Sequence, residues 1–276
     1  MRAISLFIIG LFNIAQVFAQ VDLARLQQEY VSRKPDLDSM YAYPNVPFDS
    51  LRTLNEEGIG ISFWWMPHEK NKGTALLVHG FLMNKSLMLS RAKIYYDLGY
   101  NVVLMDLRAR GQSSGASTTS GPGISSDVTA VMDYYAKNFN VYGPLILVGY
   151  SHGGRAVVFA AEKKPEMVKA VVLESIPYSL AESFRRIYKV DPPPIPEGNI
   201  TKAFGTISKT PILLMVGSND TAIIPEEAQK IKDLFANPAS QLKIFDGGGH
   251  NLMVEKSKPF YMEEVKSFLS IVMKSD

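Results

Sequence analysis

The sequence predicts an α/β domain built on a mostly parallel sheet with helices on both faces. Six short apolar runs recur between residues 74 and 250, and helix-like segments separate most of them. Strands that are covered on both faces carry continuous apolar runs rather than alternating ones, which favours a parallel sheet. Because such sheets bind ligands at the carboxyl ends of their strands, the functional side chains are expected where these runs end.

The composition is that of a globular protein with a small or neutral partner. Of the 276 residues, 46% are hydrophobic, which is enough for a substantial core. The 29 basic and 27 acidic residues give a net charge of +2, so no strong field favours nucleic acid or an acidic membrane surface. Cysteine is absent, which excludes disulfides, a thiolate nucleophile and a cysteine metal site.

Residues 1–19 have the layout of a secretory signal peptide. An arginine precedes an apolar stretch, and the compact residues Val17 and Ala19 precede Gln20. The alternative is an uncleaved membrane anchor, but Asn13 and Gln16 interrupt a segment shorter than the roughly 20 apolar residues that a spanning helix needs. We therefore expect export to the periplasm or the medium, with anchoring only if the signal is retained.

The remaining elements follow in order. The pattern of residues 20–47 predicts a short amphipathic helix and a proline-containing linker. Residues 48–276 are expected to form the α/β domain. Strands are predicted at 48–54 and 60–66 as a hairpin, then within 74–80, 101–108, 144–151, 168–175, 210–220 and 241–250. Helices are predicted near 86–98, 124–139, 152–163, 225–235 and 258–273.

Residues 176–209 interrupt the alternation of strands and helices. Four prolines fall between positions 192 and 196. A long insertion over the strand ends usually serves a site, so a small lid is favoured over an irregular crossover. Its apolar side chains suggest an uncharged acyl chain as ligand, although the same side chains could instead anchor the lid to the core: Phe184, Ile187, Tyr188 and Ile195. Arg185 and Arg186 could instead receive an anionic group or face water.

The stretch LVGYSHGG offers a candidate nucleophile, Ser151. A strand is expected to end near Gly149, and a helix begins just after the serine, so Ser151 occupies a very tight turn. Only small residues two positions away on either side, here Gly149 and Gly153, let the strand and the helix approach so closely. A chain of this length can contain a Gly-x-Ser-x-Gly pattern by chance. The stronger evidence for a nucleophile is that the pattern lies between a strand and a helix.

A serine hydroxyl needs a base, and His250 is the best of the four histidines. Three glycines precede it at the end of the last apolar run, where they let the backbone place an imidazole at the sheet edge. His68 lies in a charged loop, and His79 belongs to a turn after the first parallel strand. Neither of these positions favours a catalytic base.

The carboxylate that orients the base is assigned to Asp220, just past the strand before His250. Asp106 and Asp246 are its rivals. Asp106 precedes the serine and is expected to form a salt bridge or turn, and Asp246 would have to double back to reach His250. The order Ser151, Asp220, His250 is also the one expected on this kind of sheet.

Two backbone N–H groups are candidates for an oxyanion hole. One belongs to His152, the residue after the nucleophile. The other belongs to Phe81, which Gly80 allows to turn toward the site in the sequence HGF. The imidazole of His152 has no assigned role.

Five motifs in order resemble the alpha/beta-hydrolase superfamily: HGF, DLRARGQSSG, GYSHGG, GSND with Pro225, and GGGH. The similarity runs from about residue 48 to the C-terminus. HGFLMNKS and DLRARGQSSG are most similar to the bacterial serine aminopeptidase-like and lysophospholipase-like branches. The resemblance implies an eight-stranded, mostly parallel sheet whose second strand is antiparallel. It departs at His152, where many relatives carry Met or Gln, and at an extra arginine in DLRARG.

These branches include carboxylesterases, lipases, thioesterases and peptidases. A carboxylesterase or lipase-like activity on a small-molecule acyl substrate is preferred, with thioester or amide hydrolysis as the alternative. A ligand-binding protein that keeps the fold without catalysis is the alternative of another class. The spacing of the histidines does not favour a metal site, and no phosphate-binding glycine motif is present, so no cofactor is expected.

Overall fold

A computed structural model describes residues 46–116, 121–139, 143–192, 194–252 and 257–274. The predicted signal peptide and nearly all of the 20–47 segment lie outside these ranges. Within the described ranges no helix combines the length and the apolar character that crossing a bilayer requires.

The described strands form one eight-stranded sheet in the order β1-β2-β4-β3-β5-β6-β7-β8. They are β1 (Asp49–Leu54), β2 (Gly60–Met66), β3 (Thr74–Val78), β4 (Asn101–Met105), β5 (Leu145–Tyr150), β6 (Val168–Glu174), β7 (Ile212–Gly217) and β8 (Gln241–Phe245). Strand β2 is antiparallel to β1 and β4, and the other pairs are parallel. The predicted fold class and the antiparallel second strand are confirmed.

Seven α-helices occur in the described part of the chain: α1 (Leu89–Asp97), α2 (Gly121–Asn138), α3 (His152–Lys163), α4 (Leu180–Tyr188), α5 (Ile200–Thr206), α6 (Pro225–Lys232) and α7 (Lys258–Val272). Helix α6 ends before the predicted residue 235. Helices α4 and α5 both lie in the predicted lid interval. Helix α5 was not predicted; its first turn is capped by the side chain of Asn199, which accepts the N–H of Lys202.

The core lies on both faces of the sheet. Alternate residues of β3 point to opposite sides, so that Leu76 packs in one cluster and Leu77 in the other. Helices α2, α3, α5 and α6 cover the first face, and α1 and α7 cover the second. Because helices bury both faces of the sheet, the positions of the strand ends are fixed. The predicted functional residues lie at these ends.

Candidate active site

Ser151 occupies a strained turn between β5 and α3. Its φ of 51° and ψ of −121° are unusual for a residue with a side chain. The turn is tied to the neighbouring strand, because the N–H of Ser151 donates to the carbonyl oxygen of Glu174 at 2.8 Å. This backbone holds the hydroxyl at the carboxyl edge of the sheet.

The glycines around Ser151 are required by close backbone contacts. A Cβ atom at Gly149 would collide with the Cα of Gly154, and one at Gly153 would collide with the carbonyl oxygen of His79. These contacts explain on structural grounds why small residues flank the serine.

The structure brings Ser151, His250 and Asp220 together in one hydrogen-bonded chain. Ser151 Oγ lies 3.1 Å from His250 Nε2, and His250 Nδ1 lies 2.9 Å from Asp220 Oδ2. With a proton on Nδ1, the imidazole donates to the carboxylate, and Nε2 accepts the serine hydroxyl. The arrangement can move a proton from the serine to the imidazole while the carboxylate stabilises the resulting charge.

Asp220 is held rigidly and remains ionised. Its Oδ1 accepts the backbone N–H groups of Ala222 and Ile223, each at 2.9 Å. Burial raises the pKa of Asp220, but the hydrogen bond and charge of His250, with the Ile223 amide, outweigh burial and lower the pKa below its usual value. The carboxylate is therefore a fixed negative charge beside Nδ1 of His250.

Two unused backbone donors flank the serine. His152 is the first residue of α3, so its N–H has no acceptor within the helix. Among the described residues, neither this N–H nor that of Phe81 donates to another group. Both residues line the same cleft as Ser151 and His250. The two donors therefore suit an oxyanion.

The imidazole of His152 is buried and neutral. Burial, followed by the charge of Arg155, lowers its pKa to about 3. Its Nε2 has no hydrogen-bond partner in the described part of the molecule, and its ring meets the ring of Phe81 edge-on at 5.8 Å. Arg110, the extra arginine of DLRARG, lies on the same aromatic ring at 5.8 Å. Phe81 is thus held between two side chains that the motif alone did not explain.

The rival carboxylates have other surroundings. Asp106 is fully buried and forms an ion pair with Lys85 at 2.5 Å, and it also accepts the N–H of Gln112. Among the described residues, Asp246 makes no hydrogen bond to His250. Neither carboxylate takes the place of Asp220 beside the imidazole.

The rival histidines are held by the fold. His79 Nε2 accepts the N–H of Leu107 at 3.1 Å, and Nδ1 donates to the carbonyl of Gly80. Burial lowers the pKa of His79 to about 4, so the ring braces the HGF turn as a neutral group. His68 packs its ring on Tyr96 at 4.5 Å.

An apolar cleft of about 120 Å³ opens above the serine. All four apolar lid residues named from the sequence line it, and the remaining lining residues are Phe81, Ser151, His152, Pro177, Leu180, Ser183, Ala222, Ile223 and His250. The lid arginines are engaged elsewhere. Arg185 pairs with Glu182 and Asp191, and Arg186 pairs with Glu227. The cleft is therefore suited to an uncharged group.

Sequence reasoning missed three buried charged residues around this site. Glu174 and Arg91 form an ion pair behind it, and Arg155 anchors the lid. Glu174 gave a usable signal, since it ends an apolar strand run at the functional edge of the sheet. Arg155 gave another, since it is a single charge placed between two glycines and the apolar segment AVVFAA. Arg91 gave none.

An eight-stranded sheet with a strained serine turn after β5, an acid after β7 and a histidine after β8 defines the alpha/beta-hydrolase fold. A family model described as alpha/beta hydrolase fold matches residues 75–193. The chain therefore has the alpha/beta-hydrolase fold.

Known proteins resemble this chain at low sequence identity. The chain is 24% identical over 242 residues to the yeast (Saccharomyces cerevisiae) "Uncharacterized membrane protein YNL320W", covering 81% of this chain and 80% of the yeast protein. The esterase Pf2001 of Pyrococcus furiosus superposes with a TM-score of 0.73 at 23% identity, covering 83% of this chain and 93% of the esterase. Est1E of Butyrivibrio proteoclasticus, solved with ferulic acid, gives 0.70 at 18% identity, covering 81% and 99%.

Proposed function

We propose that this protein is a serine hydrolase that cleaves esters of uncharged acyl groups through an acyl-enzyme on Ser151. One observation carries the proposal: the hydrogen-bonded chain that runs from Asp220 through His250 ends at Ser151, which lines an apolar cleft beside two unused N–H donors. Fold alone does not establish an activity, so the proposal rests on these side chains.

The geometry supports a two-step acyl transfer. His250 Nε2 takes the proton of Ser151 as Oγ attacks the carbonyl carbon, and the N–H groups of His152 and Phe81 stabilise the oxyanion. The imidazolium then gives its proton to the leaving alcohol, which leaves the acyl group on the serine. Water, deprotonated by His250, attacks the acyl carbon, and the serine departs with the proton.

The lining of the cleft supports an uncharged acyl group. A carboxylate in an apolar cleft loses hydration that it recovers only from a cation or hydrogen-bond donors. Arg185 and Arg186 are both occupied by acidic partners, so neither is available for that purpose. The structural relative Pf2001 is described as an esterase, and Est1E was solved with ferulic acid bound. Both descriptions agree with an ester substrate.

Residues 1–19 support export as part of the proposal. Expression in a secreting host should yield a mature chain that begins at Gln20, which N-terminal sequencing or intact mass checks. Recovery of the full-length chain in the membrane fraction would instead indicate a retained anchor.

The decisive experiment combines labelling with a substrate panel. A fluorophosphonate probe is expected to label wild type at Ser151, and p-nitrophenyl esters of rising chain length should be cleaved faster than matched thioesters or aminoacyl amides. A folded protein that is neither labelled nor active would favour a ligand-binding role. Preferred cleavage of thioesters or amides would move the assignment to a thioesterase or an aminopeptidase-type enzyme.

A further inference from the structure

A buried ion pair lies behind the candidate triad. Arg91 on α1 contacts Glu174 at the end of β6 through two hydrogen bonds, Nε to Oε2 at 2.7 Å and Nη2 to Oε1 at 2.6 Å. Each side chain is only 2% exposed. Desolvating two charges offsets most of their attraction, so such a pair contributes little to net stability. Its contacts point to another role.

The pair holds the segment that follows His250. Glu174 Oε1 accepts the backbone N–H of Leu252 at 3.0 Å. Arg91 Nη2 donates to Asn251 Oδ1 at 3.0 Å. The two residues after the candidate base are therefore both fixed by the same buried pair.

The pair also contacts the serine side of the site. The backbone carbonyl of Glu174 accepts the N–H of Ser151 at 2.8 Å. The guanidinium of Arg91 lies over the ring of Tyr150 at 4.2 Å, and that ring is 5.4 Å from the ring of His250. The pair therefore contacts both sides of the Ser151–His250 hydrogen bond. Glu174 binds the backbone of Ser151, and both residues of the pair bind the two residues that follow His250.

The loop that carries His250 needs such a fixed point. Residues 247–249 are three consecutive glycines, which give the backbone wide conformational freedom. The hydrogen bond to Asp220 orients the imidazole but does not fix its distance from the serine. A displacement of about 1 Å in a reacting group costs on the order of 100-fold in rate.

We propose that Arg91 and Glu174 are positioning residues that set the distance between His250 Nε2 and Ser151 Oγ by clamping residues 251 and 252. Neither side chain touches the reacting atoms. The proposal rests on the proposed function, because it concerns the placement of the candidate base. It adds a buried pair on α1 and β6 to the determinants of that placement.

The decisive variant replaces the whole pair, Arg91→Met together with Glu174→Leu. Apolar side chains of similar volume commonly preserve the stability of a fold when they replace a buried ion pair. The Leu252 N–H and Asn251 then lose their charged partners. We expect kcat for a p-nitrophenyl ester to fall by about 10- to 100-fold. KM should stay within about twofold, since no residue that lines the cleft has changed. The Tm should fall by no more than about 10 °C, the amount expected when the buried Leu252 N–H loses its acceptor.

A second readout separates positioning from general damage. The rate of fluorophosphonate labelling of Ser151 should fall in parallel with kcat, because it depends on activation of the serine by His250. The control is Asp97→Asn, which breaks the exposed Lys93–Asp97 ion pair on the same helix. It should change neither the labelling rate nor the Tm.

Each outcome decides the question. A folded double variant with wild-type kcat and labelling rate overturns the positioning role and leaves the proposed function intact. If the double variant does not fold, Arg91→Lys is the second test. Lysine keeps the charge but is about one bond shorter and loses the two-point contact with Glu174. It must lower kcat at constant KM, and an unchanged kcat overturns the role. A wild-type protein that neither labels nor hydrolyses rejects the proposed function instead.

Discussion

Arg155 and Glu197 join α3, the helix that follows Ser151, to the lid. Arg155 Nη2 donates to the carbonyl oxygen of Glu197 at 2.5 Å, and Nη1 donates to the carbonyls of Pro177 at 3.0 Å and Tyr178 at 2.7 Å. Burial lowers the pKa of Arg155 to about 10, so the guanidinium is still charged at neutral pH. One buried cation therefore fastens two separate segments of the lid to α3.

The Glu197 carboxylate extends this clamp into α4, which lines the cleft. It accepts the N–H groups of Leu180 at 2.9 Å and Ala181 at 2.8 Å, which are free donors of the first helical turn. Glu197→Ala removes this cap, which costs about 1 kcal/mol. Hydrogen exchange at these two amides should accelerate by about fivefold, as measured by mass spectrometry or NMR.

Asp191→Ala is the matched control for the lid. Asp191 follows α4 and pairs with Arg185 in an exposed position, where an ion pair contributes little. It should leave exchange at Leu180 and Ala181 close to wild type. Equal acceleration in both variants would mean that the Glu197 carboxylate does not stabilise the first turn of α4.

The backbone of Ser151 leads to a prediction that separates strain from chemistry. Its φ of 51° and ψ of −121° suit glycine better than any residue with a Cβ. Ser151→Ala and Ser151→Gly both remove the proposed nucleophile, so each should lower kcat by on the order of 10⁴- to 10⁶-fold. Ser151→Gly should nevertheless be more stable than Ser151→Ala by about 1 kcal/mol in urea unfolding. Equal stability would show that the turn stores no strain.

The sequence placed three candidate site residues at the edge of the sheet from local pattern alone. Ser151, Asp220 and His250 each follow an apolar strand, and parallel strands bring such positions to one edge whatever the details of packing. The flanking glycines carry their own signal, because the tight turn excludes larger residues. Locating the strands along the chain was enough to place these residues at one edge of the sheet.

What the sequence did not predict depends on contacts between distant segments. Arg91 and Glu174 are 83 positions apart, and their meeting depends on how α1 packs on the sheet. Helix α5 is short and lies among prolines and glycines, and it is stabilised by burying Phe204 against the core rather than by periodicity. Such features follow from tertiary packing, which overrides local propensity.

Two glycines that look alike in sequence should respond oppositely to alanine. A Cβ at Gly153 would collide with the backbone of β3 and His79, so Gly153→Ala should cost more than about 3 kcal/mol. Gly205 lies within α5 with no heavy atom within 4 Å of the added Cβ. Gly205→Ala should raise stability by about 0.5–1 kcal/mol. Thermal unfolding of the two variants checks both signs, and a stable Gly153→Ala protein would contradict the close approach of α3 to β3.

The buried imidazole of His152 should make stability depend on pH. Burial, with the charge of Arg155 next, lowers its pKa to about 3, whereas an unfolded histidine titrates near 6.5. Below about pH 6.5 the unfolded chain therefore binds a proton that the folded protein does not, and the free energy of unfolding falls as pH decreases. Between pH 7 and 5 this histidine contributes about 2 kcal/mol of that fall. Urea unfolding of His152→Phe should show a fall smaller by this amount between pH 7 and 5. The difference between pH 8 and 7 should stay almost unchanged, because the imidazole is largely deprotonated in both states there. An unaltered fall between pH 7 and 5 would mean that the imidazole is protonated within the fold.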